Sequence, residues 1–223
     1  MTTLPEHISY SSLGTYLDCG YRYKLEKVDK VKEGHAVYFT GGSAVHKATE
    51  LYDLGMEGTA EEIWNKAWFD TVAEDEAAHG DMNTWEFVKR EDMSWWYGEG
   101  LWMLDRWINF RRHWTPLEGY IEKEFEIRVN DTVVRGAIDR VMVDKDGNNV
   151  LLDIKTGANS QRHPLQLAKY KWACEVAGIE IHRAGFWDAR KGVIDFWNLE
   201  HLSTPRVEEI FTCLLYTSDA ADD

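Results

Sequence analysis

The sequence predicts an α/β or α+β domain: one mixed central sheet flanked by helices, with a helical part at the N-terminal end. Three observations carry this reading. From Glu61 to about Trp114 the apolar residues recur at helical spacing. After Pro116 the period drops to two. A further helical stretch, "HPLQLAKYKWACEVAG", then separates one apolar run from the next, as in a crossover between strands of one sheet.

In chain order, "ISYSSLGTYLDCGYRYKLEKV" offers Ser9 and Ser11 as N-caps and continues as a short helix. "GGSAVHKATELYDLGM" reads as a second helix, entered through Gly41 and Gly42. Trp64 and Trp68 are then i,i+4, and Met103, Trp107, Phe110 and Trp114 share one face, with Gly80 and Asp81 dividing the stretch into two helices. "YIEKEFEIRV", "TVVRGAIDRVMV" and "NVLLDIKTG" form a three-stranded meander through "ND" and "DKDGN" turns. The crossover helix ends at Gly178, suited to a left-handed C-cap. "IHRAGFWDA" and "GVIDFWNL" add two strands about an "RKG" turn, and "TPRVEEIF" begins a last helix.

A chain of 223 residues suits one domain, assigned to residues 1–212, with a helical insert at about 60–114 and the sheet with its crossover helix at about 117–200. The ending "CLLYTSDAADD" resembles translated adapter sequence, so residues 213–223 are expected to be an artefactual, poorly packed tail. No apolar run approaches a membrane span and no secretory leader opens the chain, so a soluble, cytoplasmic protein without a membrane partner is expected.

The three cysteines, Cys19, Cys174 and Cys213, are too few and too scattered for a disulfide framework or a four-thiolate site. The formal charge of −14 speaks against a general nucleic-acid binder, but its distribution matters. Residues 60 to 106 carry twelve acids and four bases, read as solvated helix faces, whereas Ile154 to Cys174 has no acid and carries Lys155, Arg162, Lys169 and Lys171. Arg22, Lys24, Lys27, Lys30 and Lys32 form a second basic group, diluted by Glu26, Asp29 and Glu33. Most of the eleven tryptophans lie at helical spacing and read as core. Trp95 and Trp96 are adjacent, so one is expected at the rim of a cleft.

The stretch "RGAIDRVMVDKDGNNVLLDIKTG" poses the functional question. Two apolar runs each carry a carboxylate, Asp139 and Asp153, although an unpaired buried charge is costly. Asp153 and Lys155 project from one face of their strand. If the turn is the three-residue loop Lys145-Asp146-Gly147, Asp139 falls opposite Asp153. A two-residue turn would slip the register and point Asp139 to the other face. In the first register two carboxylates and a lysine share one patch. A hard divalent cation relieves the repulsion there, and the lysine can neutralise charge developing on a phosphate.

"GAID" followed by "LLDIKTG" resembles the core of the PD-(D/E)xK nuclease superfamily, in the branch of the RecB nuclease domain and the CRISPR-associated exonucleases. "SYSSLGTYLDCGYRYKL", "GSAVHKATE" and "QLAKY" resemble three further elements of that branch, in the same order. The resemblance spans about residues 8 to 200 and implies a restriction-endonuclease-like core. It implies that His46, Asp139, Asp153 and the main-chain carbonyl of Ile154 bind Mg²⁺, or Mn²⁺ in its place, with Lys155 catalytic and Gln166 and Tyr170 lining the site. Glu50, four residues after His46 on the same helix face, is a candidate partner of that histidine. Lys24, Arg162, Lys169 and Lys171 are candidate DNA contacts.

The sequence departs from the family where Cys19 is followed by Gly20 in place of proline, and no cysteine trio follows that could hold an iron–sulfur cluster with it. Cys19 therefore reads as a small buried hydrophobe. The expected function is a metal-dependent DNA nuclease, an exonuclease on single strands or ends in recombination, repair or phage DNA metabolism. The alternative is a noncatalytic DNA-end-binding or scaffold subunit, and the acidic surface suits a protein partner in a recombination or phage replication complex.

Overall fold

A computed structural model describes residues 7–8, 14–15, 19–31, 34–129, 132–158 and 160–219, with the backbone alone at 7–8, 132 and 212–219. The elements are strand β1 (His7–Ile8), helix α1 (Gly20–Tyr23, continued by a π-helical turn over Lys24–Val28), α2 (Val37–Asp53), α3 (Ala60–His79), α4 (Met93–Arg111), β2 (Thr115–Val129), β3 (Thr132–Val143), β4 (Asn149–Lys155), α5 (Pro164–Val176), β5 (Arg183–Asp188), β6 (Val193–Trp197) and α6 (Thr204–Asp219). The expected caps Ser9 and Ser11 lie outside the described residues.

Among the described residues six strands form one mixed sheet. β3 is its spine. Along one edge it pairs antiparallel with β2; the other edge is shared, Val133 and Val134 pairing parallel with β1 and Arg140 to Val143 antiparallel with β4. β4 and β5 are parallel, so no tight turn can join them, and α5 makes the crossing as predicted. β6 closes the far side antiparallel to β5.

Helices α2, α3 and α4 cover one face, where Val45, Ala48, Trp64, Trp96 and Trp107 pack with Met142, Val150, Leu152 and Ile154. α5 and α6 cover the other, where Leu167, Trp172 and Phe211 meet Ile138, Val141, Leu151 and Phe186. The result is an α/β fold of three layers, and β4 is buried on both sides from Val150 to Ile154. That double burial is why its sequence runs apolar without alternation. Most tryptophans are core as their spacing predicts, with Trp102 an exposed exception. No described helix is long and apolar enough to cross a membrane.

The turn between β3 and β4 is the three-residue loop. Gly147 has φ +82°, and the Asp144 N–H donates to the Asn148 carbonyl at 3.0 Å. The Asp144 carboxylate accepts the N–H groups of Asp146 and Asn148, each at 2.9 Å. The register therefore pairs Arg140 with Leu152.

Two boundaries differ from the sequence reading. α2 begins at Val37, a turn before Gly41, because Val37 N–H donates to the Glu86 carbonyl at 2.8 Å and Ala36 bridges Glu86. Gly41 serves packing: a Cβ there would stand 2.2 Å from the Trp96 ring. β2 begins at Thr115 rather than Tyr120. A register shift between Pro116 and Ile121, with Gly119 at φ +77°, breaks the period-two pattern in its first third.

Candidate active site

Pairing of β3 with β4 stops at Arg140 and Leu152, and one step further in the same register Asp139 opposes Asp153. There the strands fork and side chains replace the ladder: Asp139 Oδ2 accepts the Ile154 N–H at 2.7 Å. On β4, Asp153 Oδ2 lies 2.8 Å from Lys155 Nζ. Gln166, in the first turn of α5, closes this group. Its Nε2 donates to Asp153 Oδ1 at 2.6 Å and to the Tyr170 hydroxyl at 3.3 Å, and its Oε1 accepts from Lys155 at 3.0 Å. α5 is started there by Pro164 in its first turn and by His163 Nδ1, which accepts the Leu165 N–H.

His46 arrives from the opposite layer on α2. Gly42, one turn earlier, lets α2 approach the end of β4, since a Cβ there would stand 3.0 Å from Thr156 Oγ1. His46 Nε2 is 3.1 Å from the Ile154 carbonyl, and Nδ1 is 3.4 Å from Glu122 Oε1 and 3.8 Å from Asp139 Oδ2. Glu122, at φ +45°, stands opposite Asp139 in the β2–β3 register. Arg140 Nη1 donates to it at 2.9 Å, while Arg140 Nε donates to Asp53 Oδ2 at 2.7 Å. Asp53, whose side chain is fully buried, also accepts from Arg111 and from the Trp107 indole. This buried chain of charges is paired at each link, the condition under which burial is tolerable.

The electrostatics show an excess of acid. Burial alone would lower the pKa of His46, but Asp139 and Glu122 outweigh it and raise the ring to about 9. Burial, then the charge of Asp153, lifts Asp139 to about 7. Asp153 is also raised by burial, against the pull of Lys155. Burial would raise Glu122 as well, yet His46 and Arg140 hold it below its usual value. Ligand atoms of His46, Glu122 and Asp139 all lie within 4.8 Å of one another. Asp153 Oδ2 is buried and, although beside Lys155, has no aligned hydrogen-bond donor. Three carboxylates, an imidazole and a carbonyl form a hard, mostly oxygen donor set that fits a divalent cation.

The structure thus brings His46, Asp139, Asp153, Ile154, Lys155, Gln166 and Tyr170 together, and corrects other expectations. Glu50 turns to Lys47 at 3.3 Å, and Glu122 takes the place expected for it beside His46. Lys169 is not a surface cation: it is 1 % exposed, packed between the Phe125 and Tyr170 rings, and burial lowers its pKa to about 8. Arg162 is paired with Asp188 at 2.7 Å and Lys171 with Glu175 at 2.6 Å, which leaves Lys24 as the exposed member of that set. Lys32 and Glu33 lie outside the described residues. Cys19 is exposed rather than buried, and neither α1 nor the π-helical turn after it holds a buried residue. Of the adjacent tryptophans, Trp96 lines a cleft of about 960 Å³ that reaches His46 and Glu122, while itself remaining buried.

Glu122, Arg140 and Asp53 were missed. Arg140 had a signal, since an arginine inside the buried run "AIDRVMV" demands partners. Glu122 had none, because alternation places Glu122, Glu124 and Glu126 alike and only a positive φ sets the first apart.

The family model described as the PD-(D/E)XK nuclease superfamily matches residues 7–221. Among curated relatives, the "Gene 69 protein" of Mycobacterium phage D29 is 29 % identical over 205 residues, covering 82 % of this chain and 76 % of that protein. The protein of the same name from Mycobacterium phage L5 is 27 % identical over 225 residues, covering 83 % and 77 %. With the forked strands carrying Asp139, Asp153 and Lys155 and a family match over nearly its whole length, the chain belongs to the PD-(D/E)XK nuclease superfamily.

Proposed function

We propose that the chain is a Mg²⁺- or Mn²⁺-dependent deoxyribonuclease, an exonuclease working on single strands or DNA ends in recombination, repair or phage DNA metabolism. The observation that carries the reading is the meeting of Asp139, Asp153 and Lys155 at the strand fork, with Asp153 Oδ2 buried beside Lys155 and without an aligned donor. The phage origin of both relatives supports the phage setting.

Asp139, Asp153, His46 and the Ile154 carbonyl would hold the cation, with Glu122 beside them. When bound, it supplies a water of lowered pKa and a positive charge for the phosphate. Lys155, steadied by Gln166 and Asp153, presents its ammonium to the non-bridging oxygens, where negative charge grows in the transition state. Gln166 donates to Asp153, a bond that favours the ionised carboxylate against its burial. The imidazole needs no proton of its own once a cation faces it.

The test is incubation of purified protein with single-stranded and duplex DNA plus Mg²⁺ or Mn²⁺, with a chelator control. Shortened products that vanish with chelator are expected, and Lys155→Ala should lower the rate by roughly 10²–10³-fold, the usual cost of losing one transition-state donor. Undiminished cleavage by Lys155→Ala overturns its role. DNA-end binding without cleavage under either ion would favour the noncatalytic subunit.

A further inference from the structure

We infer that the mouth of the cleft is a base-stacking clamp for an unpaired nucleic-acid strand, built from Tyr38 and Phe39 of α2 and from Val88 and Lys89 of the neighbouring loop. The inference rests on the nuclease reading for the identity of the ligand, and on separate residues for its site.

Phe39, Gly42, Ser43, His46, Lys47 and Glu50 lie at i, i+3, i+4, i+7, i+8 and i+11, one stripe of α2 that lines the cleft. Phe39 is two turns from His46, roughly 10 Å along the axis. That spans about three nucleotides of a stacked strand. Phe39 is 55 % exposed, and the ring of Tyr38, a residue 41 % exposed, stands 4.4 Å from its own. A single exposed aromatic needs no explanation, but these have company. Phe87 and Val88 are exposed on the neighbouring segment, which the Ala36–Glu86 bridge and the Glu86 N–H to His35 carbonyl bond strap against the start of α2. Tyr38, Phe39 and Val88 all line the same cleft as His46.

The loop is built to hold a shape. Lys89 has φ +60°, a conformation that costs a non-glycine residue energy and persists where surroundings enforce it. One end of the loop is strapped at Glu86. The other is clamped at Glu91, whose two oxygens accept from the Nη1 and Nη2 of Arg190, each at 3.0 Å. Lys89 lines the cleft opposite a wall that also carries Lys47, and neither Lys89 nor Arg90 makes an ion pair among the described residues. Among the acids of the lining Glu50 is paired with Lys47, Glu91 with Arg190 and Glu122 with Arg140, while Asp75 accepts from the Thr40 hydroxyl, which leaves Lys89 as the lining cation for a phosphate.

Rings that take a base face, flanked by cations that take phosphate, are the recipe for sequence-tolerant binding of single strands. A duplex keeps its base faces covered and cannot use such rings without unstacking. The cleft volume of about 960 Å³ is that of a ligand pocket, with room for a few nucleotides.

The experiment compares the full chain with the double variant Tyr38→Ala/Phe39→Ala. Oligothymidine and a blunt duplex are titrated by fluorescence anisotropy in chelator, and hydrolysis of bis(p-nitrophenyl) phosphate is followed with Mn²⁺. The expected result is oligothymidine affinity weakened by roughly tenfold or more per lost stack. Duplex affinity and hydrolysis of the small diester should be unchanged, and Phe39→Trp should restore single-strand binding. Oligothymidine affinity within twofold of the parent, or an equal loss on duplex, overturns the clamp. No hydrolysis of the small diester by the parent protein defeats the nuclease reading instead, and the binding arm still decides the clamp.

Discussion

Gln166 uses both ends of its amide, donating to Asp153 and accepting from Lys155. Gln166→Ala frees both groups, and the expected outcome is a kcat lower by roughly 10–100-fold, the usual cost of losing such a supporting hydrogen bond, with KM little changed. Steady-state cleavage of an oligonucleotide reads this directly. Glu122→Gln keeps the shape and removes a charge beside His46; divalent affinity should weaken by a similar factor in calorimetry. The two residues differ in how visible they are from sequence. Gln166 was legible because "QLAKY" resembles the corresponding helix of the nuclease family and lies in the acid-free segment just after the acid-x-lysine strand. Glu122 sits among alternating glutamates, and its role follows from a backbone twist that no side-chain pattern encodes.

At the scale of elements, the sequence left the hairpin register between loop lengths, and the three-residue loop follows from Gly147 at φ +82° behind an Asp144 carboxylate that accepts from Asp146 and Asn148. That register places Asp139 opposite Asp153. The start of α2 was not legible, since it depends on Glu86, about fifty residues away in sequence, and on a tryptophan ring lying on Gly41. Gly41→Ala should therefore destabilise the fold by about 1–3 kcal/mol through overpacking, although alanine is the better helix former. Denaturant unfolding checks the sign: stabilisation would mean that the ring moves aside freely.

For the whole molecule, the acid excess at the fork sets a pH dependence. In the metal-free protein Asp139 is raised from 3.8 to about 7 and His46 from 6.5 to about 9, so the folded state binds more protons than the unfolded chain across that interval. Stability from both groups is then lost as pH rises, for His46 between 6.5 and 9. The lowered Glu122 acts in the other direction, but below its ordinary value of 4.5 and so outside this window, and Lys169, lowered to about 8, opposes the trend only above that pH. The metal-free Tm should therefore fall from pH 6.5 to pH 8, and the gain on adding Mn²⁺ should grow over the same span, because the cation displaces those protons. Scanning calorimetry at several pH values tests both trends, and a flat metal-free Tm would contradict them.

Arg190 also donates through Nε to the Thr156 carbonyl at 2.7 Å and lies over the Trp95 and Trp96 rings. Thr156 directly follows Lys155. One guanidinium therefore rivets the outer loop, the insert helix and the residue that follows β4 into a single girder. A disturbance at Glu91, remote from any reacting atom, would be felt as a misaligned ammonium at the phosphate.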